Sequence, residues 1–229
     1  MGLGYGMTEI FVVCVCTPED IGFGTSGKPV PLMKIRVSDE GELQMTSPAQ
    51  MAGYWKKEEA SKAMLTTDGW IKSGDVGEIT PDGYIKITDR IKELIITAGG
   101  KNISPLLIET SLKDDIYIDQ AVAIGDARKY ISALIVPSFE LLMQYASDKG
   151  ITFKDKEDLV KNPDIIKFYK ERIDEATKDL GQVEKIKSFT LLPNELTQES
   201  GELTPTSKLR RKNINQKYTD IIDSMYIGE

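Results

Sequence analysis

The stretch WIKSGDVGEITPDGYIKITDRIKELIITAGGKNISP, residues 70–105, decides how this chain folds. It contains two alternating runs, VGEIT and YIKIT, on either side of the Pro-Asp-Gly sequence at 81–83, where proline is preset for the second position of a turn. A β-hairpin over 76–88 is therefore predicted. The stretch ends in Ser104-Pro105, a capping hydroxyl followed by proline, which predicts the start of a helix.

Upstream, the sequence is typical of short strands joined by turns. Most of the chain's 19 glycines precede residue 89 and separate β-branched or aromatic runs. This pattern predicts that residues 1–88 form antiparallel β-structure, either a small barrel or a sandwich. Cys14 and Cys16 are the two cysteines of the chain. In a strand they share one face with Val15 opposite, so two buried thiols in a reducing compartment are expected.

After Asp89 the pattern becomes mixed. Strands are predicted at 93–97, 120–126, 130–137 and 186–192. Two apolar stripes with helical spacing predict helices over 164–180 and 209–225. The first stripe comprises Ile165, Ile166, Tyr169, Ile173, Ala176 and Leu180, and the second comprises Leu209, Ile214, Tyr218, Ile221, Ile222 and Met225. The predicted fold class is α+β: an antiparallel β-rich subdomain over 1–88, then an α+β domain over 89–229 with a small sheet and flanking helices.

Composition excludes several classes of function. With 29 basic and 36 acidic residues the net charge is −7, which argues against a general nucleic-acid binder but not against a local phosphate site. The chain has no histidine, so imidazole metal sites and histidine-based general catalysis are excluded. No apolar run approaches the ~20 residues of a membrane helix, and no basic-then-apolar leader is seen. A cytoplasmic location is therefore expected.

The segment GYGMTE, residues 4–9, has the residue types of a nucleotide site. Its glycines allow a ligand to approach the backbone closely, and Tyr5 offers a flat ring for a base. Thr8 and Glu9 could serve a phosphate and its Mg²⁺. A glycine-rich turn leading into a strand explains the segment equally well.

Within residues 70–105, three further features point to a ligand. Asp75 follows a glycine in a tight bend, where its carboxylate could accept two ribose hydroxyls. Arg90 lies at the seam between the two regions, and its guanidinium could clasp a nucleotide. The turn Gly99-Gly100 could let a slender group pass. Taken singly, the same residues are explained as a turn aspartate, a surface arginine and a tight loop.

The segment LTPTSKLRRKNI, residues 203–214, crowds basic side chains at the start of the last predicted helix. The cluster comprises Lys208, Arg210, Arg211 and Lys212. Because the helix dipole disfavours cations at this end, an anion or an acidic surface is expected to compensate. The alternative is a solvated basic face.

Taken together and in this order, the three segments resemble the C-terminal part of the AMP-forming acyl-adenylate synthetases, which include acyl-CoA ligases, luciferases and the adenylation domains of peptide synthetases. The resemblance covers essentially the whole chain. It is especially close to bacterial long-chain fatty-acyl-CoA synthetases in DRIKELIITAGGKNISP, QAVAIGDARKYISALIVPSFE and LTPTSKLRR. It implies that residues 1–88 are the end of the large N-terminal domain and that 89–229 are the mobile C-terminal domain. The chain is then expected to be a piece excised from a longer ligase and inactive by itself, with the product of a natural split gene or pseudogene as the alternative.

The resemblance also implies roles for the nucleotide-binding residues. Tyr5 would lie against the adenine, Thr8 would contact the phosphates, and Glu9 would help to hold Mg²⁺. Asp75 and Arg90 would bind the ribose. The implied reaction joins a fatty acid to ATP as acyl-AMP with release of pyrophosphate, and coenzyme A then takes the acyl group and releases AMP.

Further implied roles concern the base pocket and domain movement. Ile87 would line the base pocket, and Asp89 would be the hinge about which the C-terminal domain rotates between the two half-reactions. Lys208 would bridge the acyl carboxylate and the α-phosphate, so Lys208, Glu9 and Thr8 are the catalytic candidates. Gly99 and Gly100 would lie beside the pantetheine arm of CoA in the second pose.

Two departures and several alternatives accompany the resemblance. Ser207 stands where many members have glycine, which fits the long-chain subgroup, and 138–185 form a helical extension as in long-chain enzymes.

The alternatives are an adenylation domain serving a carrier protein and an inert binding module; a nucleic-acid binder through KLRRK is disfavoured by the acidic balance. The missing N-terminal domain is the expected protein partner, and peripheral membrane contact stays open.

Overall fold

The computed structural model describes residues 4–227. The chain divides into two compact units, a first unit up to Leu94 and a second unit from Ile95 onward. The sequence predicts a domain boundary after residue 88 with a hinge at Asp89. This boundary is defined by rotation of the domains, which a division into compact units does not test, so it stays a prediction.

The first unit contains two antiparallel sheets. One is formed by β1 (Gly4–Met7), β2 (Phe11–Val15) and β3 (Lys28–Pro29); the other is formed by β4 (Lys34–Val37), β5 (Glu42–Thr46), β6 (Ile71–Ile79) and β7 (Ile85–Arg90). Helix α1 (Glu58–Ala63) and a 3₁₀ turn (Ile91–Glu93) complete the unit. Both sheets contribute to one buried cluster, comprising Ile10, Val13, Cys14, Leu43, Met45, Ile71 and Ile85. The predicted antiparallel β-structure is confirmed.

Local predictions in this unit also hold. In the 76–88 hairpin, Ile79 pairs with Ile85, and the N–H of Gly83 donates to the carbonyl of Thr80 at 2.8 Å. Cys14 and Cys16 are free and buried, whereas the side chain of Val15 between them is 37% exposed. From Cys14 to Cys16 the chain thus alternates between buried and exposed side chains as predicted, although Val13, on the same face as Val15, is also buried.

The second unit is built on a three-stranded sheet of β10 (Ile118–Ile124), β11 (Ile131–Pro137) and β12 (Ile186–Leu191). Strand β11 is buried along its whole length because it lies between an antiparallel and a parallel neighbour. A small pair, β8 (Ile95–Ile96) with β9 (Asn102–Ile103), precedes this sheet. The helices are α2 (Pro105–Lys113), α3 (Phe139–Asp148), α4 (Lys156–Lys161), α5 (Pro163–Ala176), α6 (Arg211–Lys217) and α7 (Thr219–Ser224). The α+β class is confirmed, and Ser104 caps α2 as predicted, its hydroxyl accepting the N–H of Leu107 at 3.2 Å.

Two helix predictions need correction. Helix α5 ends at Ala176 rather than at residue 180, and Ile166, assigned to the buried stripe, is 42% exposed. The predicted helix over 209–225 is wrong: Leu209 forms a bridge with Leu203 in a hairpin, and only α6 and α7 follow.

The break between α6 and α7 lies at Tyr218. The backbone of Tyr218 leaves the helical region, with φ −105° and ψ 21°, and its hydroxyl reaches the carboxylate of Glu202 at 3.3 Å. The apolar spacing continues across the break because both short helices pack Ile214, Ile222 and Met225 on the same core. Hydrophobic periodicity alone therefore does not reveal the interruption.

Candidate functional site

In the first unit, three residues that are distant in the sequence meet. Tyr5 lies on β1, Asp75 on β6 and Arg90 on β7, and the register places Asp75 directly opposite Arg90. The hydroxyl of Tyr5 donates to Oδ2 of Asp75 at 2.5 Å, and Nε of Arg90 lies 3.3 Å from Oδ1. Asp75 is 8% exposed, whereas the arginine side chain is mostly exposed. The arrangement presents a fixed carboxylate beside a cation and an aromatic ring.

The Asp75 carboxylate is held by its surroundings before any ligand arrives. The hydroxyl of Ser73 accepts the N–H of Asp75 at 3.0 Å and donates to the carbonyl of Leu43 at 2.6 Å. Burial, followed by the hydrogen bond to Asp75, raises the pKa of Tyr5 well above its ordinary value. The phenol therefore stays protonated at neutral pH and continues to donate to the carboxylate.

Thr8 and Glu9 lie at the tip of the hairpin between β1 and β2. Thr8 is exposed, and Oε1 of Glu9 accepts the hydroxyl of Tyr54 at 2.6 Å. This hydrogen bond is the main reason why the pKa of Tyr54 is raised. Within residues 4–227, no three Cys, Asp or Glu side chains form a cluster that could hold a metal by themselves. A single carboxylate such as Glu9 fits a Mg²⁺ ion that is bound mainly by nucleotide phosphates.

Two other predicted residues lie on β7. Ile87 is half-buried and packs against the core of the first unit. Asp89 is 3% exposed, and its Oδ1 accepts the N–H of Arg90 at 2.6 Å. Both therefore have structural surroundings in β7, and their roles in the base pocket and at the hinge stay predictions.

In the second unit, the Gly99-Gly100 turn is tight and open to its surroundings. The N–H of Gly100 donates to the carbonyl of Thr97 at 2.8 Å, and the φ of Gly100 is +71°. A Cβ atom at Gly100 would meet no other atom within 4 Å. The turn therefore offers bare backbone, as a close approach to a slender ligand requires.

Lys208 lies at the tip of a second tight hairpin in this unit. Leu203 and Leu209 form its bridge, the N–H of Thr204 donates to the carbonyl of Lys208 at 2.8 Å, and the lysine side chain is exposed. Ser207, immediately before the lysine, has a φ of +57°. The position at which the resemblance leads one to expect glycine thus has a left-handed backbone, which serine adopts with strain.

The basic cluster after Lys208 is only partly compensated by an acid. Arg211 begins α6, and its guanidinium donates to both carboxylate oxygens of Glu109 at 2.8 and 2.9 Å. Glu109 is buried on α2, so the acidic partner that the helix dipole required is present for this arginine. Arg210 and Lys212 are exposed and fit the solvated alternative.

The sequence-based site is therefore distributed over both units. The structure brings Tyr5, Asp75 and Arg90 together, and it places Thr8 and Glu9 on the hairpin that carries Tyr5. Gly99, Gly100 and Lys208 belong to the second unit. The sequence did not single out Tyr54, whose hydroxyl donates to Glu9. The one feature that could have drawn attention to it is the preceding glycine, since Gly53-Tyr54 repeats the Gly-Tyr pair at residues 4–5.

Comparisons with known proteins agree with these features. The family model described as "AMP-binding enzyme C-terminal domain" matches residues 92–229. The long-chain-fatty-acid–CoA ligase FadD15 of Mycobacterium bovis is 38% identical over 99% of the chain, which covers 38% of that protein. Long-chain-fatty-acid–CoA ligase 1 of Homo sapiens is 32% identical over 97% of the chain, which covers 34% of that protein. The chain thus spans little more than a third of the length of these relatives.

A solved structure supports the same fold. The adenylation domain of a carboxylate reductase from Mycobacterium chelonae superposes with a TM-score of 0.73 at 24% identity, over 98% of this chain and 34% of the other. Among residues 4–227, no helix is long and apolar enough to cross a membrane. Because the family model covers more than half of the chain, the chain belongs to the family of AMP-binding enzyme C-terminal domains.

Proposed function

We propose that this chain is the C-terminal part of an ATP-dependent, AMP-forming long-chain fatty-acyl-CoA ligase. The observation that carries the proposal is the convergence of Tyr5, Asp75 and Arg90 within hydrogen-bonding distance. A ring suits a base, and a fixed carboxylate with a guanidinium beside it suits the hydroxyls of a ribose. The names of relatives at 38% and 32% identity support the long-chain acid and CoA as substrates.

In the first half-reaction the fatty-acid carboxylate attacks the α-phosphate of ATP and pyrophosphate leaves. Two anions must approach each other, so a cation that neutralises the developing charge is the natural catalyst. Lys208 supplies that cation from the tip of its hairpin. Tyr5 lies against the adenine and Asp75 accepts the ribose hydroxyls. Thr8 would contact the phosphates, and Glu9 would help to hold the Mg²⁺ that arrives with ATP.

In the second half-reaction the thiol of CoA attacks the acyl-AMP carbonyl and AMP leaves. The C-terminal domain rotates about Asp89, which withdraws Lys208 and brings the Gly99-Gly100 turn beside the pantetheine arm. A lysine on an exposed hairpin tip suits a group that serves one step and leaves for the next. Arg90 and Ile87, which follow one another closely on β7, contact the ribose and the base.

The rival thioester acceptor is a carrier protein. Structural neighbours include carboxylate-reductase adenylation domains at 21–24% identity, a likeness that concerns the fold alone. The curated relatives favour CoA. We also expect the ligase to act in the cytoplasm, with peripheral contact to membranes in which long-chain acids partition.

The experiment measures AMP release from ATP, a long-chain acid and CoA by the full-length ligase that contains this chain. Asp75→Asn should raise the KM for ATP ~10-fold or more, since hydrogen bonds to a charged group are lost. The matched control is Asp82→Asn in the exposed turn of the same hairpin, which should leave the KM for ATP unchanged. Equal kinetics for Asp75→Asn and the unmodified enzyme would refute the nucleotide site. Transfer to a phosphopantetheinylated carrier protein but not to CoA would replace the ligase by the rival.

A further inference from the structure

A carboxylate outside the candidate site is fully buried beside the hairpin of Lys208. Glu202 is 0% exposed, and its side chain accepts Nζ of Lys217, the hydroxyl of Ser200 and, at 3.3 Å, the hydroxyl of Tyr218. Lys217 lies on the last turn of α6. Burial raises the pKa of Glu202, but the bonds from Lys217 and Ser200 outweigh that effect and lower the pKa to about 2. The carboxylate is therefore ionised at neutral pH.

The backbone of the same residue closes the base of the hairpin. The carbonyl of Glu202 accepts the N–H of Arg210 at 2.7 Å, and its own N–H donates to the carbonyl of Thr197 at 3.1 Å. Next to it, the carbonyl of Gly201 accepts Nδ2 of Asn213 on α6 at 2.8 Å. The hairpin base is thus joined to α6 at two successive residues, while its tip with Lys208 is exposed.

We infer that the ion pair between Glu202 and Lys217 positions Lys208 for the adenylation step. The inference rests on the proposed function. An ionised carboxylate at full burial needs its cation, so α6 and the hairpin base are held in one arrangement. The position of Lys208 therefore depends on how the hairpin base is held against α6. A displacement of about 1 Å at a reacting group can slow a reaction ~10²-fold. Glu202 and Lys217 are positioning residues, because neither contacts a reacting atom.

A matched pair of variants at Lys217 tests the inference in the full-length ligase. Lys217→Met removes the cation, and Lys217→Arg keeps it. We expect Lys217→Met to slow single-turnover acyl-AMP formation by ~10- to 10²-fold, while CoA transfer from supplied acyl-AMP stays close to the original rate. Lys217→Arg should retain adenylation. Asp115→Asn, at the partly buried pair with Arg172 elsewhere in the unit, should leave the ratio of the two rates unchanged.

A merely structural role would slow both half-reactions together, and that result would overturn the inference. So would equal adenylation rates for Lys217→Met and Lys217→Arg. Lys208→Ala separates this failure from failure of the proposed function. If Lys208→Ala is slow in adenylation and Lys217→Met is not, the positioning inference alone is wrong. If Lys208→Ala adenylates normally, the catalytic role of Lys208 is wrong and the positioning inference falls with it, whereas the absence of acyl-AMP formation by the unmodified ligase would refute the proposed function.

A second measurement uses the chain as it stands and needs no activity. Glu202→Gln keeps the shape of the side chain and removes its charge. Amide hydrogen exchange at Thr204 and Arg210, whose N–H groups close the hairpin, should become ~10-fold faster or more. Exchange within α5 should not change. Unaltered protection of the two hairpin amides would overturn the inference even if the variant remains fully folded.

Discussion

Two turns of this molecule have the same hydrogen bonds and differ at the residue that controls their backbone. In the 80–84 turn, the N–H of Thr80 donates to the carbonyl of Tyr84 at 2.9 Å; in the 204–208 turn, the N–H of Thr204 donates to the carbonyl of Lys208 at 2.8 Å. In both, the threonine hydroxyl accepts the N–H of the fifth residue at 3.0 Å. The fourth residue is glycine in the first turn and serine in the second, where Lys208 follows it.

The same turn recurs elsewhere in the chain. Residues 38–42, 66–70 and 97–101 repeat the pattern of a hydroxyl residue that accepts the N–H of the fifth residue. Their fourth residues are Gly41, Gly69 and Gly100, with φ +83°, +85° and +71°. A Cβ atom would have room at all three, so the backbone conformation selects glycine there. Among these turns, the one that ends in Lys208 has a strained serine at its fourth position.

The comparison shows that the residue before Lys208 requires a left-handed backbone, which glycine adopts without strain. Ser207 meets the requirement with φ +57°, at a cost of about 1–2 kcal/mol for an L-residue in the left-handed region. The turn itself does not determine the chemistry, since the same backbone ends in Tyr84 in the 80–84 turn and in Lys101 in the 97–101 turn. What distinguishes the 204–208 turn is Lys208 and the ligand that this lysine meets. Ser207 is thus compatible with a working turn.

The largest expected effect separates the two ligand-facing turns in the full-length ligase. On the proposed function, Lys208→Ala removes a cation that is needed only while the acyl carboxylate attacks, so single-turnover acyl-AMP formation should slow at least ~10²-fold. CoA transfer from supplied acyl-AMP should change little. Gly100→Leu should do the reverse, because on the proposed function its side chain would crowd the pantetheine arm of CoA. If both variants slow the same half-reaction, the alternating assignment of the two turns is wrong.

The 80–84 turn provides the control for Gly100→Leu. Gly83→Leu introduces the same residue at the same turn position, with φ +82° and equally open space. Both variants should therefore lose similar thermal stability through backbone strain. If Gly83→Leu slows CoA transfer as much as Gly100→Leu, strain rather than crowding explains the defect.

The next effect is the loss of stability of the 204–208 turn at low pH. The pKa of Glu202 is lowered from 4.5 to about 2, so its contribution to folding is complete above pH 4.5 and is lost as the pH falls towards 2. Linkage gives a loss of roughly 2–3 kcal/mol across this window. The 204–208 turn should therefore loosen in acid before the 80–84 turn does. Amide exchange of Thr204 and Thr80 between pH 5 and 2.5, corrected for intrinsic rates, measures this, and Glu202→Gln should abolish the difference.

The features of the fold that could be predicted from the sequence are those that neighbouring residues determine. The 76–88 hairpin and the cap at Ser104 were predicted because a few neighbouring residues determine each of them. The contact between Tyr5 and Asp75 joins residues 70 positions apart, and sequence spacing does not contain it. Their common role was indicated by resemblance, and the fold then supplied the geometry.

The errors follow the same rule. The stripe assigned to a helix over 209–225 begins with Leu209, whose partner is Leu203 on the other side of the lysine turn. A helix and a hairpin can bury the same leucine, so periodicity does not distinguish them. The buried partners Glu109 and Glu202 were missed because each pairs with a cation that only tertiary structure brings near. Charged residues are usually exposed, and the sequence gives no sign of the exception.

A smaller effect tests the threonine that both turns share. Thr204→Val and Thr80→Val keep the side-chain shape and remove the oxygen that accepts the N–H of the fifth residue. Each should cost about 1 kcal/mol of folding free energy, measured by urea unfolding. Thr204→Val should in addition slow adenylation several-fold in the full-length ligase, whereas Thr80→Val should not. Equal adenylation rates for the two variants would show that the geometry of the turn does not limit the reaction.

The smallest effect exchanges the residue that distinguishes the turns. Gly83→Ser places serine at φ +82° and should destabilise the chain by about 1 kcal/mol. Ser207→Gly relieves the strain at φ +57°, but glycine also makes the unfolded chain more flexible, which offsets about 0.5–1 kcal/mol. The net change for Ser207→Gly should therefore be a stabilisation of between about 0 and 1.5 kcal/mol, with adenylation retained. If Ser207→Gly destabilised the chain as strongly as Gly83→Ser, the serine side chain would be making a favourable contact, and the two turns would not be equivalent scaffolds.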